Sequence, residues 1–452
     1  MLWSIHLDGG PRRVNHAAVA LNGAIYSFGG YCSNEQSDGT EPIDIHMLNT
    51  SNYRWKRVYH ANVTENENSI DDTVDLDGGD GRNKELNKQL PYMRYGHTVV
   101  EYRGKAYLWG GRNDEYGASS QLHEFDPNTR LWRLVPVQNR FPPARDGHSA
   151  VVWGHKMYIF GGFEEEAQRF SQETYVYDFP TARWSLFNTT GPLPLWRDFH
   201  TAVQIDGTMY VFGGRSDITG EFHSTRDTYD DRLMALDLKT GLWREVNVGY
   251  SKKPNGRRSH SAWVYNNCMY IFGGYQGSIN RHYNDIYCFD PATSQWTQIC
   301  TRGLIPSPRR RQCTVVVGDR LFLFGGTRPS DSPYGLPVVV DRPTVPVRLR
   351  AAAANVDADE DDEPQVHLPF APAPTPQAVP RLNDLADLYV LEFVPTLKNL
   401  ALYKFINQPN RTCPKLCRQK VPCCIIDEIF AMTTPNKIST NLEPDDRRVA
   451  AG

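Results

Sequence analysis

Histidine and arginine recur in this chain at a spacing that could serve proton transfer or anion binding. In "RDGHSAVVWGHKMYIFGG", from Arg145, a histidine follows an arginine by three residues and precedes a Gly-Gly by thirteen. The same frame starts at Arg13, Arg94, Arg197, Arg257 and Arg309. It sets His16, His97, His148, His200, His260 and, in the last copy, Gln312 at one equivalent position. The first glycine falls without slippage at Gly29, Gly110, Gly161, Gly213, Gly273 and Gly325. General acid–base catalysis needs one constellation of unlike groups, so equivalent histidines predict an architectural role. Gln312 keeps a hydrogen bond but cannot titrate, which points the same way. The sequence has no G-x-S-x-G elbow, HExxH helix or Walker loop, and a non-catalytic protein is expected.

A second set of residues suits anion binding. Arg112 and Arg215 directly follow a Gly-Gly, and Arg281 lies further along such a loop. Arg258 and Ser259 immediately precede a histidine position, as Arg310 and Arg311 do in the last copy. Tyr31, Phe163, Trp196 and Tyr275 join them. In an antiparallel four-strand unit, the loops after Gly-Gly and those before the histidines open on one face. They predict a concave basic pocket with aromatic walls, suited to a peptide carboxylate because guanidinium forks pair bidentately with it. The competing expectation is that Asp146, Asp198 or loop acids neutralise some of these arginines.

Other chemistry is disfavoured. Cys413, Cys417, Cys423 and Cys424 cluster in "CPKLCRQKVPCC", but adjacent cysteines and a CxxxC spacing are poor zinc geometry. Neither metal nor cofactor is expected. The formal net charge of −3 argues against a direct nucleic-acid binder. Apolar runs fall short of the roughly 18 residues that cross a bilayer. "MLWSIHLDGG" does not read as a signal peptide, and nine cysteines, an odd number, suit reduced thiols. A cytoplasmic and/or nuclear protein without membrane contact is expected.

The elements that must position these groups are strands. Each copy reads as a short branched run, a turn such as Asn22-Gly23 or Asp206-Gly207, and a second strand ending in Gly-Gly. A third strand follows ("IHMLN", "LHEFD", "TYVYD", "LMALD", "IYCFD", "LYVLEF"), then a fourth opened by Trp55, Trp132, Trp184, Trp243 or Trp296. Four antiparallel strands make one propeller blade. The sixth copy lacks that tryptophan, and "LWSIHL" supplies it as Trp3. The predicted fold is all-β, a six-bladed propeller closed by its N-terminal strand, over residues 1–394. Insertions at about 60–90 and 328–381 read as disordered. A small helical module spans 395–432, and a flexible tail, 433–452, ends in Gly452.

These repeats resemble the kelch family of β-propellers. Beyond them, "TLKNLALYKFI" resembles a BC-box, with Ala401 in place of the usual cysteine, and "VPCCIIDEI" resembles a cullin-2 box. The combination is similar to cullin-2 substrate receptors. That resemblance implies that Leu397, Leu400 and Phe405 meet elongin B/C, and that Val421, Pro422 and Ile425 meet cullin-2. It implies capture of C-terminal glycine degrons for ubiquitin transfer, with Arg215 holding the terminal carboxylate and Arg281 and Ser259 assisting. Gly452 is then a candidate self-degron, allowing self-association through the tail. The iron-binding E-x-x-x-D-x-x-x-H pattern of some kelch-type specifier proteins is absent. The alternative is a kelch interaction scaffold, chromatin- or actin-associated, with no ligase role.

Overall fold

The computed structural model describes residues 1–33, 41–61, 90–139, 141–224, 226–330, 382–407 and 423–438. The chain divides into two compact units, Met1–Arg328 with Asp384–Gly452, and Pro329–Asn383. The second falls almost wholly outside the described residues, as do both predicted insertions, Val421, Pro422 and the tail with Gly452.

The first unit is mostly β, and its repeats are consistent with a β-propeller. Ala17–Leu21 and Ala24–Phe28 pair across Asn22 and Gly23, whose φ values of 50° and 79° match the twist of tight hairpins. Ile45–Asn49 and Arg54–Val58 complete an antiparallel sheet in simple order. The same order recurs in sheets whose first strands are Tyr95–Tyr102, Ser149–Trp153, Thr201–Ile205, Ser261–Tyr265 and Cys313–Val317. In the last of these the outer partner of Leu388–Glu392 is β1 (Leu2–Leu7), with Trp3 opposite Leu391. Trp3 is fully buried and meets Phe272 and Tyr389 edge-on. Hydrogen bonding this strand into a sheet satisfies backbone groups that a free edge would expose.

Apolar side chains on each sheet pack against the next. Phe28 and Ile45 of the first sheet cluster with Phe125 and Trp132 of the second. At the other end of the sequence, Phe324 and Val390 of the sixth cluster with Ile25 and Leu48 of the first. The fourth-strand tryptophans are all buried at such junctions.

Two helices lie among the described residues of the C-terminal module. Thr396 caps α1 (Leu397–Ile406), its Oγ1 accepting from the Asn399 N–H at 3.1 Å. In α1 and α2 (Cys423–Thr433), Leu402, Ile406, Ile425, Ile429 and Met432 join the cluster between the sixth and first sheets. Past α2, the Asn436 N–H donates to Asp8 O at 2.7 Å, and its Oδ1 accepts from the Trp55 N–H at 3.3 Å. A Cβ on Gly9 would lie 2.0 Å from Asn436 O, so this crossing requires glycine.

Candidate functional site

Four of the five recurring histidines stitch sheets together. His148 Nε2 lies 2.8 Å from Thr98 Oγ1, His200 Nε2 2.8 Å from Ser149 Oγ, and His260 Nε2 2.7 Å from Thr201 Oγ1. Each partner belongs to the preceding sheet. His97, whose preceding sheet offers Ala17, bonds Phe28 O at 3.1 Å instead. Gln312 donates to Phe272 O at 3.2 Å, reproducing that bond. Burial pushes His16, His97 and His260 down to about 3, and His148 and His200 well below the ordinary imidazole range. All five are neutral near pH 7 and not proton carriers; four hydrogen-bond to the preceding sheet, whereas both ring nitrogens of His16 are buried with no hydrogen-bond partner among the described residues.

The arginines that open each repeat are equally structural. Arg145, Arg197, Arg257 and Arg309 are buried, and each donates to the carbonyl of the first glycine of its own Gly-Gly at 2.8–3.1 Å, or 3.4 Å for Arg309. Carboxylates of Glu164, Asp230, Asp285 and Asp387 neutralise them at 2.5–2.8 Å.

The next two positions of the repeat build the rim. The residue after each leading arginine pairs antiparallel with the residue after Gly-Gly: Val14 with Tyr31, Tyr95 with Arg112, Asp146 with Phe163, Asp198 with Arg215, Arg258 with Tyr275, and Arg310 with Thr327. The following residue is left-handed in every repeat: Asn15, Gly96, Gly147, Phe199, Ser259 and Arg311, with φ between 49° and 69°. Each of these N–H groups donates to the carbonyl of its counterpart in the preceding sheet, at 2.7–3.2 Å. The Asn15 N–H donates to Arg311 O, so the hydrogen-bond circuit returns to its start. A cavity of about 120 Å³ is lined by this circuit and the histidine positions.

Charge around the rim is sorted by sheet. On the third and fourth sheets stand Asp146 and Asp198. Arg215 is bound to Asp198 by Nε–Oδ1 and Nη2–Oδ2 contacts of 3.1 and 2.5 Å, with its guanidinium over Phe170. Burial pulls the Arg215 pKa down, but the Asp198 carboxylate outweighs it and holds it above its ordinary value. Burial and the neighbouring Asp198 push Asp146 up to about 7. Arg112 is shared between Glu165 at 3.5 Å and Asp114 at 3.8 Å.

On the fifth and sixth sheets the rim is cationic. Arg258 and Arg310 lie over the Tyr275 ring at 5.7 and 4.3 Å, and Arg311 donates to the Tyr31 hydroxyl at 2.6 Å. Among the described residues none of these three has a carboxylate within 4.0 Å. The Nε atoms of Arg310 and Arg311 are buried without a hydrogen-bond partner. Burial, then Arg311 and Arg258, pull Arg310 down to about 10. Mutually repelling cations with no carboxylate partner among the described residues define a site that an anion would relieve.

The residues singled out in the sequence therefore divide. Arg258, Ser259 and Tyr275 come together with Arg310 and Arg311. Arg112, Phe163 and Arg215 lie on the acidic side, and Trp196 lines a separate cavity. Arg281 is exposed, with its guanidinium over Tyr283. Its neighbour His282, missed in the sequence, turns the other way, its ring tilted at 44° to that of Tyr275 with centroids 4.6 Å apart. Burial, Arg310 and Arg311 hold His282 down at about 4. Strand alternation was the signal: Arg281 and His282 form a two-residue strand and cannot face the same way.

A second surface lies on the helical module. Leu397 is 85% exposed, and Leu400 and Phe405 are also exposed. With Ala401 they form one stripe at i, i+3/i+4, i+8 spacing. Ile425 faces inward, against the cluster under the helices.

The described residues contain no group of three metal-ligating side chains and no helix long and apolar enough to cross a membrane. Comparison with known proteins agrees with the repeat reading. The KLHDC2/KLHL20/DRC7 Kelch-repeats domain matches residues 96–326, and the Kelch motif matches 12–58. Kelch domain-containing protein 3 of Homo sapiens, like that of Bos taurus, is 39% identical over 437 residues, 97% of each chain. Host cell factor 2 of Homo sapiens is 28% identical over 53% of this chain and 31% of its own. Repeats, rim and similarity together make this chain a kelch-repeat protein-interaction domain: it belongs to the kelch-repeat family.

Proposed function

We propose that this chain is the substrate-recognition subunit of a cullin-2 ubiquitin ligase. In this reading the six sheets are blades of a closed propeller whose rim captures the C-terminal end of target proteins. The observation that carries it is the trio Arg258, Arg310 and Arg311, clustered around Tyr275 and Tyr31 with no ion-pair partner among the described residues. A terminal carboxylate accepts from both arms of a guanidinium. The cavity of about 120 Å³ behind the rim, which Arg311 helps to line, gives the end of a peptide a place to enter. Asp146, across the rim, suits a cationic residue near the peptide's end.

The exposed Leu397, Leu400 and Phe405 support docking of elongin B/C. Val421 and Pro422, just ahead of α2 in the sequence, are left to form the cullin-2 contact, because Ile425 packs inward. A cytoplasmic or nuclear location goes with these partners. The test pairs matched glycine-ended peptides, free acid against amide, with co-purification of elongin C and cullin-2. Binding of the free acid alone, with both partners recovered, is expected. Equal binding of acid and amide would overturn the carboxylate site, and absence of cullin-2 would overturn the ligase role.

A further inference from the structure

A second cavity, of about 440 Å³, opens among the loops around the fourth sheet, where Leu195, Trp196, Ile218, Gly220 and Tyr229 form walls. Its two carboxylates are already engaged. Asp217 accepts from Thr219 and Ser224, and Asp230 from Arg197 and Arg232. In the amide orientation that satisfies both its neighbours, Gln172 accepts from Trp196 Nε1 at 2.8 Å. Beside the Thr228 hydroxyl, what remains on offer is carbon. Ile218 is 66% exposed and Leu195 37% exposed, apolar surface left uncovered among the described residues.

This cavity adjoins the arginine cluster. Tyr229 lines it, yet a Cβ on Gly277 would meet Tyr229 Oη at 2.3 Å and Tyr275 Cε1 at 3.4 Å. Tyr275 is the ring under Arg258 and Arg310. One tyrosine therefore separates the cavity from the anion site. A tyrosine side chain spans roughly 6–7 Å, about two residues of extended peptide.

Building on the carboxylate reading, we infer that this cavity is a second subsite. It takes one apolar side chain (Leu, Met or Phe) two to four residues before the ligand's terminal carboxylate. Trp196 and Tyr229 supply its aromatic walls, Leu195 and Ile218 its rim. The terminal carboxylate fixes the end of the peptide, and this subsite selects among peptides sharing that end.

The test is a free-acid peptide series with leucine or serine at each of the four positions before the last residue. Affinities are measured against the parent chain and Ile218→Asp, an exposed substitution with little cost to folding. In the parent, leucine at one position should bind about 10-fold more tightly than serine, and Ile218→Asp should remove that preference. No positional preference, or one that persists in Ile218→Asp, would overturn the subsite. An amidated control keeps the two ideas apart: lost binding on amidation without an Ile218-dependent preference sinks the subsite alone, whereas indifference to amidation sinks the carboxylate reading. Self-association of the parent that Ile218→Asp abolishes would instead assign the cavity to a second copy of the chain.

Discussion

Arg215 and Asp198 face each other across an isolated β-bridge and share two contacts, Nε–Oδ1 at 3.1 Å and Nη2–Oδ2 at 2.5 Å. The Asp198 side chain is 1% exposed. Truncating one partner of such a pair leaves a buried charge uncompensated, a cost of about 3–5 kcal/mol. Arg215→Ala is therefore expected to lower the melting temperature, and Asp198→Asn in the same chain to restore much of it. Thermal denaturation of the single and double variants checks this.

Arg310 behaves in the opposite way. It repels two neighbouring arginines and pairs with no carboxylate among the described residues, so Arg310→Gln should leave the melting temperature unchanged or raise it. The same change should weaken free-acid peptides by about 2–5 kcal/mol, the range for losing one partner of a buried charge pair. It should also close the gap to the amide. Calorimetric titration of both peptide forms reads this out.

Asp146 predicts a pH dependence with an unusual sign. Its pKa rises from 3.8 to about 7 in the folded chain, through burial first and Asp198 second, against the pull of Arg112 and Arg215. Between those values the folded state holds the proton that the unfolded state has lost. Stability from this group therefore declines as pH rises from about 4 to 7, by up to about 1.4 kcal/mol per pH unit. Asp146→Asn should remove that slope. The readout is the difference between variant and parent across this range, because the buried histidines contribute the opposite slope below pH 6.5.

For the histidines, His200→Gln should be tolerated and His200→Leu should not. Gln312 already fills the equivalent position and keeps its hydrogen bond. Leucine would strand the Ser149 hydroxyl in a buried site, at a cost of about 1–3 kcal/mol. Urea midpoints of the two variants separate these outcomes.

On the helical module, Leu397→Asp should abolish elongin C co-purification without moving the melting temperature, since Leu397 is 85% exposed. Ile425→Ala should lower the melting temperature instead, because its side chain packs beneath the helices. Pull-down and melting of both variants distinguish docking surface from core.

The sequence by itself determined the repeat. Spacing of arginine, histidine and Gly-Gly fixes hairpins and four-strand units, because strand alternation and turn stereochemistry are local. It also placed Trp3 with the fourth-strand tryptophans, and the pairing of Leu2–Leu7 with Leu388–Glu392 puts it opposite Leu391. Which rim arginines remain available for a ligand was not legible. Arg215 and Arg258 look alike in the chain, one following Gly-Gly and one preceding a histidine. Only tertiary structure shows that Asp198 lies across from the first, whereas Tyr275 lies across from the second, beside Arg310 and Arg311. The physical reason is distance. Secondary structure responds to neighbours a few residues away, but the charge left over at a rim is a sum over groups that distant parts of the chain bring within a few ångströms.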